Sequence, residues 1–271
     1  MKHIALIELT QLCNLKCEYC FYNDYGRKSD YITIEILKKL ILPETTDVYL
    51  TGGEPFLASN VVEIIKFIRD ENKRVSIFSN GAILFKYAEK EFKYIIDNTN
   101  NLIITLDDFR NKYKLRGANV VDVLAGIKRV INYKKDVLEV KIAVNNYNID
   151  FFEDTVKKLI KIGIERLSIN LVHNISSSKK SFEVKNKEKL VKLFDIIEKF
   201  ENYFNSNYVY NLKLFLNNQI DELVKVCKAG DDFYFINCEG KVYKCPACLD
   251  DKIEDKYKCI SKECINLWEM Y

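Results

Sequence analysis

Cys13-Asn-Leu-Lys-Cys17-Glu-Tyr-Cys20 places three thiols within eight residues, just after the apolar run Ile4-Ala5-Leu6-Ile7 and the polar Glu8, Thr10 and Gln11. Thiolates this close in one loop can grip a single metal centre from one side. Three ligands do not complete a tetrahedral site, and no histidine lies nearby to serve as a fourth. A [4Fe–4S] cluster normally takes four cysteines. Held by three, it leaves one iron with an open position, as a catalytic metal needs and a structural one does not. The alternatives are a zinc knuckle, or three buried cysteines packed as small hydrophobes. Zinc spacings usually pair one C-x2-4-C with a second, and that pair is missing locally. Lys16 and Glu18 between the thiols argue against simple core packing.

Working outward, Thr51-Gly52-Gly53-Glu54-Pro55-Phe56 follows the short apolar run Val48-Tyr49-Leu50, so it too stands where a strand ends. Paired glycines there allow close backbone approach to a ligand, and a carboxylate follows. A CxxxCxxC loop followed by a GGEP segment resembles the radical S-adenosylmethionine (radical SAM) enzymes. Both motifs are intact, in the expected order and at strand ends.

At 271 residues the chain can bury one large core, or one core and a small appendage. Lys plus Arg exceeds Asp plus Glu by only three (42 against 39), so no strong field for nucleic acid is implied. There is no 18-residue apolar run, and residues 1–12 lack a signal peptide's layout, so a soluble, cytoplasmic protein with no membrane partner is expected. In a reducing compartment clustered cysteines point to metal rather than disulfides. The nine cysteines are bimodal, three at 13–20 and six at 227–264, and the gap between marks a domain boundary. The expected division is a barrel over residues 1–205 with its closing helix, a connector over 206–226 and a cysteine-rich unit over 227–271.

Between these poles, short apolar runs alternate with helical patterns. Helices are expected at 34–42 (Thr33 as N-cap), 60–70, 85–96, 119–133 and 151–162, the last closed by Gly163. Strands are expected to end at Leu50, at Ser79-Asn80-Gly81, at Asp107-Asp108, at Asn145-Asn146 and at Val172. This alternation argues a parallel sheet with crossover helices. Six units fall short of the eight of a full barrel. The expectation is an α/β fold, a partial (β/α)6 TIM-type barrel, which is also the fold the resemblance implies. Ligand groups gather at the carboxyl ends of such strands. Residues 174–186 are polar and serine-rich and read as a plain linker rather than a flap over the barrel mouth. Residues 187–205 read as a long amphipathic helix, while 206–226 stay ambiguous.

In the tail, Phe233–Ile236 and Lys241–Tyr243 predict a hairpin around Glu239-Gly240. The C-x12-G-x4-C spacing from Cys227 through Gly240 to Cys245 resembles the start of the SPASM extension, or its shorter twitch version. Cys248, Cys259 and Cys264 depart from the later spacing of that family. One auxiliary [4Fe–4S] cluster is expected, on Cys227, Cys245 and two of the remaining set, with Cys238 as a possible unligated thiol. The rival is a zinc ribbon on Cys245, Cys248, Cys259 and Cys264.

The resemblance implies that Cys13, Cys17 and Cys20 hold the cluster, whose open iron binds the amino and carboxylate groups of S-adenosylmethionine. It also implies that Gly52, Gly53, Glu54 and Pro55 form the segment receiving the methionine amino group, and that Tyr19 lies beside the adenine. Ser79, Thr105, Asp107 and Asn145 are small polar side chains at strand ends suited to the ribose, although turn capping explains each equally well. Arg116-Gly117 is similar to a loop of this subgroup, but a single arginine is little to argue from. His173 reads as structural. Pro246 occupies the place where some peptide-oxidising relatives carry an aspartate base. Relatives with such tails mostly modify ribosomally made peptides, so a peptide substrate is the first expectation, with a separate recognition protein and a reductant such as flavodoxin or ferredoxin. A small-molecule dehydrogenase or cofactor-biosynthesis enzyme is the alternative, and a non-catalytic electron carrier the third reading.

Overall fold

The computed structural model describes residues 3–20, 22–25, 31–110, 115–117, 119–172, 179–219, 221–222 and 229–246. Strands β1 (Ile4–Glu8), β2 (Asp47–Thr51), β3 (Arg74–Ser79), β4 (Asn101–Leu106), β5 (Leu138–Val144) and β6 (Leu167–Leu171) run parallel. After the short α1 (Tyr22–Tyr25), the crossovers carry α2 (Ile34–Leu40), α3 (Val61–Asp70), α4 (Glu89–Asp97), α5 (Val120–Lys134) and α6 (Phe152–Lys161). Thr33 caps α2 by accepting from the Ile36 N–H, as expected of an N-terminal Thr. Asn119 caps α5 in the same way, through the Val121 N–H.

The six βα units do not exhaust the sheet. The tail hairpin forms as β7 (Phe233–Ile236) and the antiparallel β8 (Val242–Tyr243), with Gly240 at φ +79° in the turn. β7 pairs in parallel with β1, Ile4 opposite Phe233 and Ile7 opposite Ile236, so the sheet has eight strands in the order β6-β5-β4-β3-β2-β1-β7-β8. The cysteine-rich tail therefore begins inside the barrel sheet. The segment expected to be ambiguous contains α8 (Ser206–Leu216), and the expected long helix stops early as α7 (Lys187–Lys199).

The period-two alternation of the strands sorts two cores. Ala5, Ile7, Val48, Leu50, Val75, Ile77, Ile104 and Ile142 face the helices in the larger one. Ile4, Leu6, Tyr49, Phe233, Phe235 and Cys245 fill the base of the concave face in a second. Higher on that concave face, Phe78 and Thr105 are partly open, and the Lys141 ammonium lies 4.6 Å from the Phe78 ring centroid. No helix among the described residues is long and apolar enough to cross a membrane.

Candidate functional site: a cysteine loop braced across the strand ends

All three N-terminal thiols lie on the loop that leaves the carboxyl end of β1. That loop is seated on the segment leaving β2. The Gly53 N–H donates to the Thr10 carbonyl and the Glu54 N–H to the Leu12 carbonyl, each at 2.7 Å. A Cβ on Gly52 would lie 2.2 Å from the Thr10 oxygen, and one on Gly53 2.2 Å from the Leu12 oxygen. The close approach that the glycine pair permits is thus made by the cysteine loop's own backbone.

Two donors aim at the Cys13 sulfur, the Leu15 N–H at 3.4 Å and the Asn80 side-chain amide at 3.7 Å. Cys17 Sγ instead faces the Arg116 carbonyl oxygen at 3.5 Å. Burial pushes the Cys17 thiol up to about 11, with Arg116 pulling it back, so metal binding there must displace a proton. A cavity of about 440 Å³ opens at the loop, lined by Cys13, Leu15, Lys16, Cys17, Glu18 and Asn23. Among the described residues no three His, Cys, Asp or Glu side chains converge so as to hold a single metal ion. A cubane takes each thiolate on a different iron, so sulfurs that do not converge on one point, with Cys13 and Cys17 lining the cavity and N–H donors at Cys13, fit a cluster better than a zinc knuckle. The donor set fits the group.

Glu54 turns inward. Its fully buried carboxylate accepts from Ser79 Oγ (2.9 Å), the Phe56 N–H (3.3 Å) and the Asn80 N–H (2.8 Å). Burial pushes this carboxyl up to about 7 even though all three bonds favour the anion. Pro55 opens the short helical turn that Glu54 caps. The Ser79 hydroxyl, which donates to Glu54, also accepts from the Gly81 N–H at 3.0 Å. Asn145 is likewise a turn residue: its Oδ1 accepts from the Tyr147 N–H at 2.9 Å, and its own N–H donates to Asn148 Oδ1 at 2.7 Å. Asn148 in turn donates to the Asp107 carbonyl at 3.1 Å, stitching the end of β5 to that of β4.

Asp107, just beyond β4, is the hub on the other side of the loop. The Tyr19 hydroxyl donates to its carboxylate at 2.7 Å, and Arg116 Nη1 lies 3.5 Å away while also donating to the Thr105 carbonyl. Burial raises the Asp107 carboxyl to about 6, Arg116 and Tyr19 holding it lower than burial alone would. The segment around Arg116 is bonded onto the loop through the Glu18 N–H and the Leu115 carbonyl (2.7 Å). A strap over residues 179–186 replaces the expected linker. Its Phe182 is fully buried against Leu115, Ala143, Val172 and, edge-on at 5.9 Å, Tyr19. Lys180 pairs with Glu18.

Cys238 lies just past β7 at the mouth, its N–H donating to Glu8 at 3.0 Å, whereas Cys245 is buried at the base among Ile4, Leu6 and Phe233. Cys227, Cys248, Cys259 and Cys264, with His173, fall outside the described residues. Sequence reasoning did not single out Asn80 or Phe182, and it undervalued Arg116. Only the strand-end position of Ser79-Asn80 and the lone aromatic in a polar stretch were there to be noticed.

The sequence profile of the Radical SAM superfamily matches residues 7–142, which include the cysteine loop and the glycine pair. The chain belongs to the radical SAM superfamily. A radical SAM enzyme implies a [4Fe–4S] cluster and S-adenosylmethionine. Relatives include a probable GTP 3',8-cyclase of Sulfurisphaera tokodaii, 27% identical over 260 residues, which are 92% of this chain and 82% of that one. An uncharacterized protein of Methanocaldococcus jannaschii is 28% identical over 95% of this chain and 91% of its own. The GTP 3',8-cyclase of Alkaliphilus oremlandii is 30% identical, over 56% of this chain and half of its own length. Among solved structures, Streptococcus suis SuiB bound to the precursor peptide SuiA superposes with a TM-score of 0.73 at 17% identity. It matches 99% of this radical SAM chain, which spans 64% of SuiB. The enzyme anSMEcpe with AdoMet and a Cp18Cys peptide gives 0.67 at 18% identity, over 97% of this chain and 81% of its own. These two share the fold.

Proposed function

We propose that this chain generates a 5′-deoxyadenosyl radical from S-adenosylmethionine and uses it to take a hydrogen atom from a ribosomally made peptide, which is crosslinked, epimerised or oxidised as a result. The observation that carries the reading is the cysteine loop locked to the glycine pair at the strand ends by the Gly53–Thr10 and Glu54–Leu12 bonds. Cys13, Cys17 and Cys20 hold the cluster, which when bound supplies the electron that breaks the carbon–sulfur bond. The methionine amino group is received by backbone carbonyls of Gly52 and Gly53, because the Glu54 carboxylate is committed to Ser79, Asn80 and Phe56. Tyr19, tethered by Asp107 and edged by Phe182, lines the adenine side. Thr105 and Asp107 serve the ribose, with Ser79 and Asn145 supporting from behind as caps.

A peptide is favoured by the structural neighbours that share this fold. SuiB, with the same fold, has been solved with a precursor peptide. A separate recognition protein and a small reductant of the flavodoxin or ferredoxin kind complete the reaction. One auxiliary [4Fe–4S] cluster in the tail is placed on Cys227, Cys245 and two of Cys248, Cys259 and Cys264. Cys238 is left out, since three to five residues at about 3.3 Å each separate its level from that of Cys245.

A second reading, a small-molecule enzyme acting on a nucleotide, is favoured by the relatives named GTP 3',8-cyclase and by the buried Lys141 on the concave face. The test is the reconstituted protein with dithionite and S-adenosylmethionine, given peptides deuterated at Cα or Cβ, or GTP deuterated on its ribose. Deuterium in 5′-deoxyadenosine from a peptide supports the first reading, and from GTP the second. No 5′-deoxyadenosine with any of them, or wild-type cleavage by Cys17→Ala, overturns both.

A further inference from the structure

Cys13 and Cys17 differ in what faces their sulfurs, donors at one and a carbonyl oxygen at the other. The donor from outside the loop is Asn80, a residue of β3's carboxyl end that is 7% exposed. Its orientation is fixed by chemistry. The Ala82 N–H can only donate, and it meets the Asn80 side chain at 2.9 Å, so the atom there is the amide oxygen. The NH2 end must then point at the cysteine loop, where it lies 2.8 Å from Asn14 Oδ1 and 3.7 Å from Cys13 Sγ. Two donor hydrogens meet two acceptors. The backbone that carries Asn80 is itself held, its N–H on Glu54 Oε2 at 2.8 Å and the preceding Ser79 hydroxyl on Glu54 Oε1 at 2.9 Å. The glutamate of the GGEP segment, buried and turned away from the mouth, thus has a use in this chain: it fixes the amide that faces a cluster sulfur.

We propose that Asn80 is a positioning residue whose amide N–H to the Cys13 sulfur raises the reduction potential of the N-terminal cluster, with Glu54 and Ser79 as its support. The proposal rests on the reading that Cys13 holds that cluster. Hydrogen bonds to the sulfurs are among the factors that set the potentials of iron–sulfur clusters. The reduced cluster carries one more negative charge than the oxidised one. A donor at the thiolate therefore stabilises the reduced form more, and its loss makes the cluster harder to reduce. Losing partners of this kind, one bond removed from the metal, typically costs about 10–100-fold in metal affinity or activity.

The experiment is an EPR-monitored redox titration of reconstituted wild-type and Asn80→Ala holoenzyme, following the signal that changes on addition of S-adenosylmethionine. At the potential where the wild-type cluster is half reduced, the ratio of reduced to oxidised cluster in the variant should fall about tenfold, which is 59 mV for one electron. Iron per chain should stay at the wild-type value. An unchanged midpoint with iron retained overturns the proposal. Should Asn80→Ala lose its cluster, the wild-type enzyme labelled with 15N-asparagine decides instead. Pulsed EPR of the reduced cluster should then show a 15N coupling, and its absence overturns the proposal equally. Cys13→Ala with wild-type iron content and the same EPR signal would remove the underlying reading, an outcome distinct from either of these.

Discussion

Replacing Gly53 by alanine tests how the cysteine loop is held in place. The added methyl would sit 2.2 Å from the Leu12 carbonyl oxygen and 2.6 Å from both the Leu12 carbon and the Gln11 oxygen. All three are backbone atoms, so no side chain can swing aside. Carbon contacts are comfortable at about 3.5 Å, and the two segments must therefore part by roughly 1.3 Å. That separation breaks the Gly53–Thr10 and Glu54–Leu12 bonds, each 2.7 Å long. Two backbone bonds contribute about 1 kcal/mol apiece, and overpacking adds about 1–3 kcal/mol. The expected loss is about 3–5 kcal/mol, or a fall in Tm of roughly 10 °C for a chain of this size. Urea unfolding of the apoprotein measures the first term, and iron bound after reconstitution reports whether the three thiols can still hold one cluster together. Leu12→Ala is the control: it removes a side chain that is 38% exposed and leaves the backbone contact, so stability should change by less than about 0.5 kcal/mol. A Gly53→Ala protein as stable as wild type, with full iron, would refute the packing argument.

Three further outcomes follow from the same geometry. The Glu54 carboxyl, raised to about 7 in the folded chain, keeps its proton between about pH 4.5 and 7 when the unfolded chain has lost it. Stability should therefore fall as pH rises through that window, and Glu54→Gln should flatten the slope in urea titrations taken at pH 5, 6, 7 and 8. Phe182→Ala should cost about 3–5 kcal/mol by chemical denaturation, because a fully buried ring leaves a cavity between the strap and Tyr19; a cost below about 1 kcal/mol would mean the strap is not packed as described. Cys238→Ala should keep the wild-type iron and sulfide count while Cys245→Ala loses one cluster's worth, and the reverse result would reassign the tail ligands.

Much of this molecule was legible in its residues. Six strands and the helices between them appear where the periodicity put them, because a strand or helix reports its buried face locally, at spacings of two or of three and four. Thr33 caps its helix as expected for an equally local reason, an oxygen three residues from an orphan N–H. The end of the helix expected over 187–205 was less legible, since the chain turns at Phe200 to bring Phe204 against Leu167, a contact far away in sequence. The strap over 179–186 was read as a linker because its composition is polar, and a single phenylalanine carries its packing.

The cysteine loop, the glycine pair and their strand-end positions were set by residue identity and order alone, since thiols and glycines have few uses at such spacing. What those residues touch was decided only by the folded chain. The glycines pack against the Thr10 and Leu12 carbonyls, Glu54 faces inward, and Asn80 meets Cys13 across a separation of 67 residues. The pairing of β7 with β1 spans more than 220 residues and puts Cys238 at the mouth and Cys245 at the base. Local pattern specifies which face of an element is buried. The identity of the partner depends on how distant elements share one sheet, and that is a property of the tertiary structure.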